Sequence, residues 1–252
     1  MELIPDVYMV SSTTFGLGHF ADCSVYLVDC GGELVLIDAG AGIDIRPLIE
    51  VVRSHGLDEN NITRVVNTHC HFDHAGGDRK VHDACGCAIA IHANGADAIE
   101  NADLVKISAP PTRQFDTVSV TTRLADNDMI RVGKYEFQVL HTPGHTDDSI
   151  CLLMHHSAGK VLFSGDTAWA LGQPGMMNVD FDFKAYQKSI QRLASLGVDI
   201  LLPGHGLFVL SRGYEHLDLL LTRLSGQWSD IIVHPTHPFW PSVQMRQKLP
   251  GS

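Results

Sequence analysis

Apolar residues along this chain fall into two kinds of segment. Some are short runs rich in Val, Ile and Leu; others place apolar residues three and four positions apart, the spacings of strand and helix respectively. "SVYLVDCGGELVLIDAG" at 24–40 predicts two strands joined at Gly31-Gly32, a pair suited to a tight hairpin turn. "DIRPLIEVVRSHG" at 44–56 predicts an amphipathic helix closed by glycine. "ITRVVNTH" at 62–69 and "CAIAIH" at 87–92 read as strands, with a helix near 94–101 after the second. Strands then dominate in "MIRVGKYEFQVLHTPGH", "SICLLMHH" and "KVLFSGD", before a helix in "FKAYQKSIQRLASLG", the strand "VDILLPGHG" and a last helix over about 212–226. This order predicts an α/β chain built as a four-layer αβ/βα sandwich, two sheets face to face with helices outside. We expect one domain over 1–234 and an extended Pro-rich tail over 235–252.

The strand at 62–69 runs into "NTHCHFDHAGGD", which packs His69, His71, Asp73 and His74 into six positions. With 15 histidines in 252 residues, chance gives a poor account of that density. Three later turns share one design, an apolar strand that ends beside glycine on a metal-capable residue. They are His145 in "LHTPGHT", Asp166 in "LFSGDT" and His205 in "LLPGHG". A lone histidine in such a place is usually structural, but three such turns together with the cluster reverse that judgement. Seven candidate ligands exceed the four that one tetrahedral zinc uses and suffice for two ions if a carboxylate bridges. Spacing suggests His69, His71 and His145 for one ion and Asp73, His74 and His205 for the other. Asp166 then bridges, and each ion keeps room for a shared water or hydroxide. Zinc is the default for His and Asp ligands, with iron or a mixed pair still open.

Composition narrows the partners. A formal net charge of -11 disfavours nucleic acid, whose binders carry a basic footprint. No apolar run reaches the roughly 18 residues of a membrane span, and "MELIPDVYMV" lacks the pattern of a signal peptide. The six cysteines are therefore expected to be reduced, Cys85-x-Cys87 to be structural, and the chain to be cytoplasmic, acting on a small molecule. A homodimer is compatible with the sequence, through His234 and His237 of the tail touching a neighbouring subunit.

His69-x-His71-x-Asp73-His74 followed by His145, Asp166 and His205 resembles the metallo-β-lactamase superfamily, and the likeness covers nearly the whole chain. The resemblance implies the αβ/βα sandwich, a dinuclear site at one edge of its sheets, and a supporting role near the metals for Asp38 in "LIDAG". Asp166 matches the hydrolases of the superfamily that use a bridging carboxylate and differs from the true β-lactamases. His71 stands where flavodiiron proteins carry Glu, and nothing here has the length or charge of the nuclease arms. What remains resembles hydroxyacylglutathione hydrolases, acyl-homoserine lactonases and related esterases. It is not a clean match to either named subfamily: only 47 residues follow His205, and no Tyr comes soon after Asp166.

The expected activity is hydrolysis of a carboxylic ester, thioester or lactone through a metal-bound hydroxide, with Asp73 a candidate proton relay to the leaving group. That agrees with the absence of G-x-S-x-G, the serine elbow. Alternatives are a mononuclear iron persulfide dioxygenase, or phosphodiesterase or β-lactamase activity on the same scaffold. For a substrate pocket the sequence offers the apolar stretch "TAWALGQPGMMNVDFDF" after Asp166, with Trp169, Leu171, Met176, Met177, Phe181 and Phe183. Phe15 and Phe20 of "TTFGLGHFAD" are candidates for the facing wall. The competing reading packs these residues as a satellite core. "GLGHFA" precedes a strand, the wrong context for a dinucleotide fingerprint. His19, His82, His92, His155 and His156 are expected in structural or solvated roles.

Overall fold

The hairpin at Gly31-Gly32 belongs to a sheet that begins earlier than the apolar runs suggest. The protein is described by a computed structural model covering residues 1–175 and 181–225. Its first sheet holds β1 (Glu2–Ile4), β2 (Val7–Ser11), β3 (Val25–Asp29), β4 (Leu34–Ile37), β5 (Ile62–Val66), β6 (Ala88–His92) and β7 (Thr122–Leu124), side by side in chain order. Strands β1 to β4 pair antiparallel and β4 to β7 parallel. Parallel neighbours need crossovers. These carry α1 (Arg46–Ser54), the single turn α2 (Phe72–Ala75), α3 (Asp78–Cys85) and α4 (Ala93–Asn101).

The second sheet is built from β8 (Met129–Val132), β9 (Tyr135–His141), β10 (Ile150–His156) and β11 (Gly159–Gly165), which pair antiparallel in sequence. A two-stranded ribbon, β12 (Ala168–Trp169) with β13 (Gln173–Pro174), leaves from β11. Helix α5 (Phe183–Ala194) then returns the chain to β14 (Ile200–Pro203), parallel to β11, and α6 (Gly213–Ser225) follows.

Side-chain alternation along the strands sorts the core into layers. Leu34 and Leu36 of β4 face Leu48 and Val52 of α1, Val81 of α3 and Ile99 of α4, while Val35 and Ile37 face the other sheet. In that sheet Leu152 and Met154 of β10 look inward with Phe163 and Leu202; Cys151 and Leu153 look outward to Tyr186, Ile190 and Leu193 of α5 and to Leu217 and Leu220 of α6. Three apolar contacts separate four layers, which is the αβ/βα sandwich. Strands buried on both faces read as unbroken apolar runs, and this is why β4, β10 and β11 are visible in sequence.

Five strands escape the sequence reading, among them β2, whose apolar residues are interrupted by the partly exposed Tyr8. The short strands β1 and β7 keep exposed positions; β12 and β13 have two residues each, inside a stretch that reads as loop. The histidine cluster is not all loop either, since α2 carries Asp73 and His74 on one helical turn. All six cysteines are free thiols. Among the described residues no helix is long and apolar enough to cross a membrane. Met176, Met177 and the tail over 235–252 lie outside the described residues.

Candidate metal centre

Every candidate ligand sits just past the C-terminal end of a strand. β5 delivers His69, His71 and α2; β9 delivers His145; β11 delivers Asp166; β14 delivers His205; and β4 delivers Asp38. The parallel direction of β4 and β5, and of β11 and β14, sends these ends to one edge of the sandwich.

Three imidazole nitrogens converge there: His71 Nδ1 lies 3.0 Å from His69 Nε2 and 3.1 Å from His145 Nε2. Nitrogens on a tetrahedral zinc, bonded at about 2.0–2.1 Å, stand about 3.3 Å apart, so this trio has the spacing of a ligand set. Asp73, His74 and His205 form a second group. In it His205 Nε2 is 3.0 Å from Asp73 Oδ2 and His74 Nε2 is 3.7 Å from the same oxygen. Asp166 stands between the groups: its Oδ2 is 3.7 Å from both His145 Nε2 and His205 Nε2, and its Oδ1 is 3.5 Å from His74 Nε2. The first trio, His74 and Asp166 are buried, whereas Asp73 and His205 are half-buried, so the centre opens on their side.

The donor set can be tested for a cation. Asp38 Oδ2 lies 2.9 Å from His74 Nδ1, and the same carboxylate accepts from the Thr68 amide (2.7 Å) and hydroxyl (3.0 Å). A carboxylate accepting three hydrogens requires the proton of His74 on Nδ1, which in the neutral ring leaves Nε2 bearing a lone pair. That Nε2 is buried with no hydrogen-bond partner, an arrangement that costs stability unless a cation takes the lone pair. The Thr68 hydroxyl donates to Asp38 and accepts from His69 Nδ1 at 3.1 Å, which turns His69 Nε2 inward in the same way. Holding a ligand's second nitrogen is how outer groups orient metal sites.

Electrostatics agrees. Burial, with neighbouring histidines, holds His69 and His71 below the ordinary imidazole range, His71 at about 3, so both are neutral as ligands must be. Burial also pulls down on His74, but Cys23, Asp73, Asp38 and Asp166 outweigh it and raise it well above. Burial pushes Asp166 and Asp73 upward, and the histidines around them win, holding both carboxyls below their usual range. Three carboxylates around one imidazole favour positive charge at this spot, and a divalent ion supplies it. The residues fit a metal.

Several supports carry no motif. Asp148 is buried and accepts the Cys70 amide at 2.9 Å, pinning the chain between His69 and His71. Cys23 is buried against His74 and Asp38. Trp169 donates from Nε1 to Asp166 Oδ1 at 3.3 Å, and its ring lies 5.4 Å from that of His205. The "DD" of "HTDDS" was the one signal for Asp148; Cys23 and Thr68 have none, because their contacts span strands.

Of the pocket candidates, Trp169 is therefore at the centre. Phe15 packs on Phe208, ring centroids 5.2 Å apart, three residues beyond His205. Phe20 is largely exposed against His19. Phe181 and Phe183 pack on the outer core around α5, as the satellite reading expects. His92 stacks flat on His141, centroids 4.0 Å apart, and is lowered to about 4 by burial and that neighbour.

Residues 20–205 match the sequence model of the metallo-beta-lactamase superfamily. The chain is 36% identical to the acyl-coenzyme A thioesterase MBLAC2 of Bos taurus over 183 residues, 65% of this chain and 63% of that one. It is 33% identical to the hydroxyacylglutathione hydrolase of a Polaromonas species over 184 residues, 71% of this chain and 60% of that one. It thus spans less than two thirds of the length of either relative. In fold it matches BJP-1, a subclass B3 metallo-beta-lactamase of Bradyrhizobium japonicum, at a TM-score of 0.72 and 20% identity, over 89% of this chain and 90% of that one.

Proposed function

The chain belongs to the metallo-beta-lactamase superfamily and is a metal-dependent hydrolase, and from that premise we propose that it cleaves carboxylic esters, thioesters or lactones at a dinuclear centre. One observation carries the reading: Asp166 Oδ2 is equally far, 3.7 Å, from a nitrogen of each ligand group, the position of a bridge. The acyl class is supported by two relatives, one named acyl-coenzyme A thioesterase and the other hydroxyacylglutathione hydrolase. The proposed ions are zinc.

Two ions held by these groups would supply Lewis acidity toward a carbonyl oxygen and a water acidic enough to ionise near neutral pH. The protein's own part is positional. His69, His71 and His145 form the closed, buried end, and Asp38 and Thr68 fix the rings that face inward. Asp73, on the open side, is our candidate to relay a proton to the departing alcohol or thiol. Trp169 lies on Asp166 and His205, and an apolar border made by it with Phe15 and Phe208 is the pocket wall of this proposal, one that would favour substrates with an apolar acyl or alkoxy part.

The test is elemental analysis of the purified protein followed by a panel of lactones, thioesters, aryl esters, phosphodiesters and β-lactams. About two ions per chain and turnover confined to carbonyl esters are expected. Asp166→Ala should lose metal and turnover together, while His155→Ala, at an exposed position of β10, should keep both. One iron per chain with oxygen consumption would establish the dioxygenase reading instead, and full metal with normal turnover in Asp166→Ala would overturn the bridge.

A further inference from the structure

Leu171 sits where its own backbone is unfavourable. At the tip of the β12–β13 ribbon its φ and ψ are 59° and 26°, and Gly172 follows with φ 62°. Two consecutive left-handed residues make the mirror-image turn of tight hairpins, whose first position normally takes Asn, Asp or Gly. In an L-residue this conformation presses Cβ against the following carbonyl, and a bulky side chain there is an outlier.

Neither the turn nor the core explains the leucine. Its hydrogen bonds use only its backbone: the amide donates to His216 Nδ1 at 2.7 Å, and Arg223 Nη1 donates at 2.7 Å to the carbonyls of Leu171 and Gly172. Any residue supplies those groups. The residue is 54% exposed and is not among the buried residues of the outer core that α5 and α6 build with β10 and β11. A strained residue held from both sides and facing solvent calls for a role outside the fold.

Its place in the ribbon gives that role. Leu171 is two residues beyond Trp169, which hydrogen-bonds Asp166 and lies against His205 on the half-buried, open side of the centre. We propose that Leu171 is a specificity-determining residue, presented in a strained turn by His216 and Arg223 of α6 so that its side chain contacts the apolar part of the substrate. This deepens the acyl-hydrolase reading and rests on it for the identity of the substrate.

The experiment uses metal-loaded protein and straight-chain carboxylates from acetate to octanoate, the acid products of such a hydrolysis, with binding followed by calorimetry. Wild type should gain affinity with chain length, by up to about fourfold per buried methylene. Leu171→Asn keeps a residue at ease in the left-handed region and removes the apolar contact. It should fold with an equal or higher thermal midpoint, hold the same metal, and show a flattened chain-length dependence. Leu171→Met should restore the dependence, and Leu171→Gly, which relieves the strain outright, should behave as Leu171→Asn. An unchanged dependence in Leu171→Asn, or none in wild type, overturns the proposal. So does a loss of self-association in the variant with chain-length dependence intact, which would assign the leucine to an interface between copies. If wild type binds the carboxylates with the expected dependence but hydrolyses no ester, thioester or lactone, the hydrolase reading falls and the contact by Leu171 stands.

Discussion

His74 shows how much one side chain depends on its neighbours: Asp38 fixes its proton on Nδ1, and only then does Nε2 face the second ligand group. A few positions on, Asp78 poses the opposite problem. It is fully buried at the start of α3, its Oδ2 accepts from Asn67 Nδ2 at 2.5 Å, and its Oδ1 and Asn67 Oδ1 have no partner. Burial pushes the carboxyl well above its ordinary range. The folded protein then keeps a proton that the unfolded chain releases near pH 4, so folding loses stability as pH rises from about 4 toward the folded value. The slope reaches about 1.4 kcal/mol per pH unit for one proton. Asp78→Asn removes the titration and offers Asn67 Oδ1 a donor. Urea unfolding between pH 4 and 8 should therefore show a flatter dependence and a more stable variant at pH 7. An identical slope in the two proteins would exclude Asp78 as the group responsible.

Among the elements, the loops at strand ends decide the chemistry and the strands decide where those loops go. Gly204 follows β14, and a Cβ built on it would lie 2.5 Å from Asp166 Oδ1 and 2.7 Å from His74 Cε1. No neighbour there is the free end of a flexible chain. Gly204→Ala should thus displace a ligand carboxylate without disturbing the sheet, lowering metal affinity or turnover by about 10–100-fold, as loss of an orienting contact does. Far-UV circular dichroism should match wild type, and full metal retention with normal turnover would show that the loop yields. The ribbon β12–β13 is the element the sequence conceals best. Two residues per strand carry no period, and its role comes from Trp169 reaching back to Asp166.

For the whole molecule, the three apolar cores and the metal centre are separate sources of stability. The cores hold the layers together through β4, β10, β11 and their helices, and the ligands lie beyond the strand ends. A ligand bound only by the folded state stabilises it by mass action, about 2.7 kcal/mol when its concentration is 100 times Kd. Chelation should therefore lower the thermal midpoint by several degrees while leaving secondary structure and a single cooperative transition. Loss of far-UV signal on chelation at 25 °C would mean instead that the ions hold the layers together.

Much of this was legible in one dimension. Apolar runs marked β3 to β6, β8 to β11 and β14: β4, β10 and β14 are buried at nearly every position, whereas β8 alternates exposed and buried residues. The αβ/βα order followed from them. His69, His71, Asp73 and His74 stood out by their density, and His145, Asp166 and His205 because each sits beside glycine where a strand ends, both patterns local in sequence. The rest depended on distance in space. Asp38 and Thr68 are 30 residues apart and meet only through the β4–β5 pairing, Asp148 reaches Cys70 across 78 residues, and Leu171 looks like any exposed leucine until its φ is known. Local patterning decided which residues could bind a metal, and tertiary packing decided which nitrogen each histidine turns inward, because hydrogen bonds across strands leave no periodic trace in the chain that makes them.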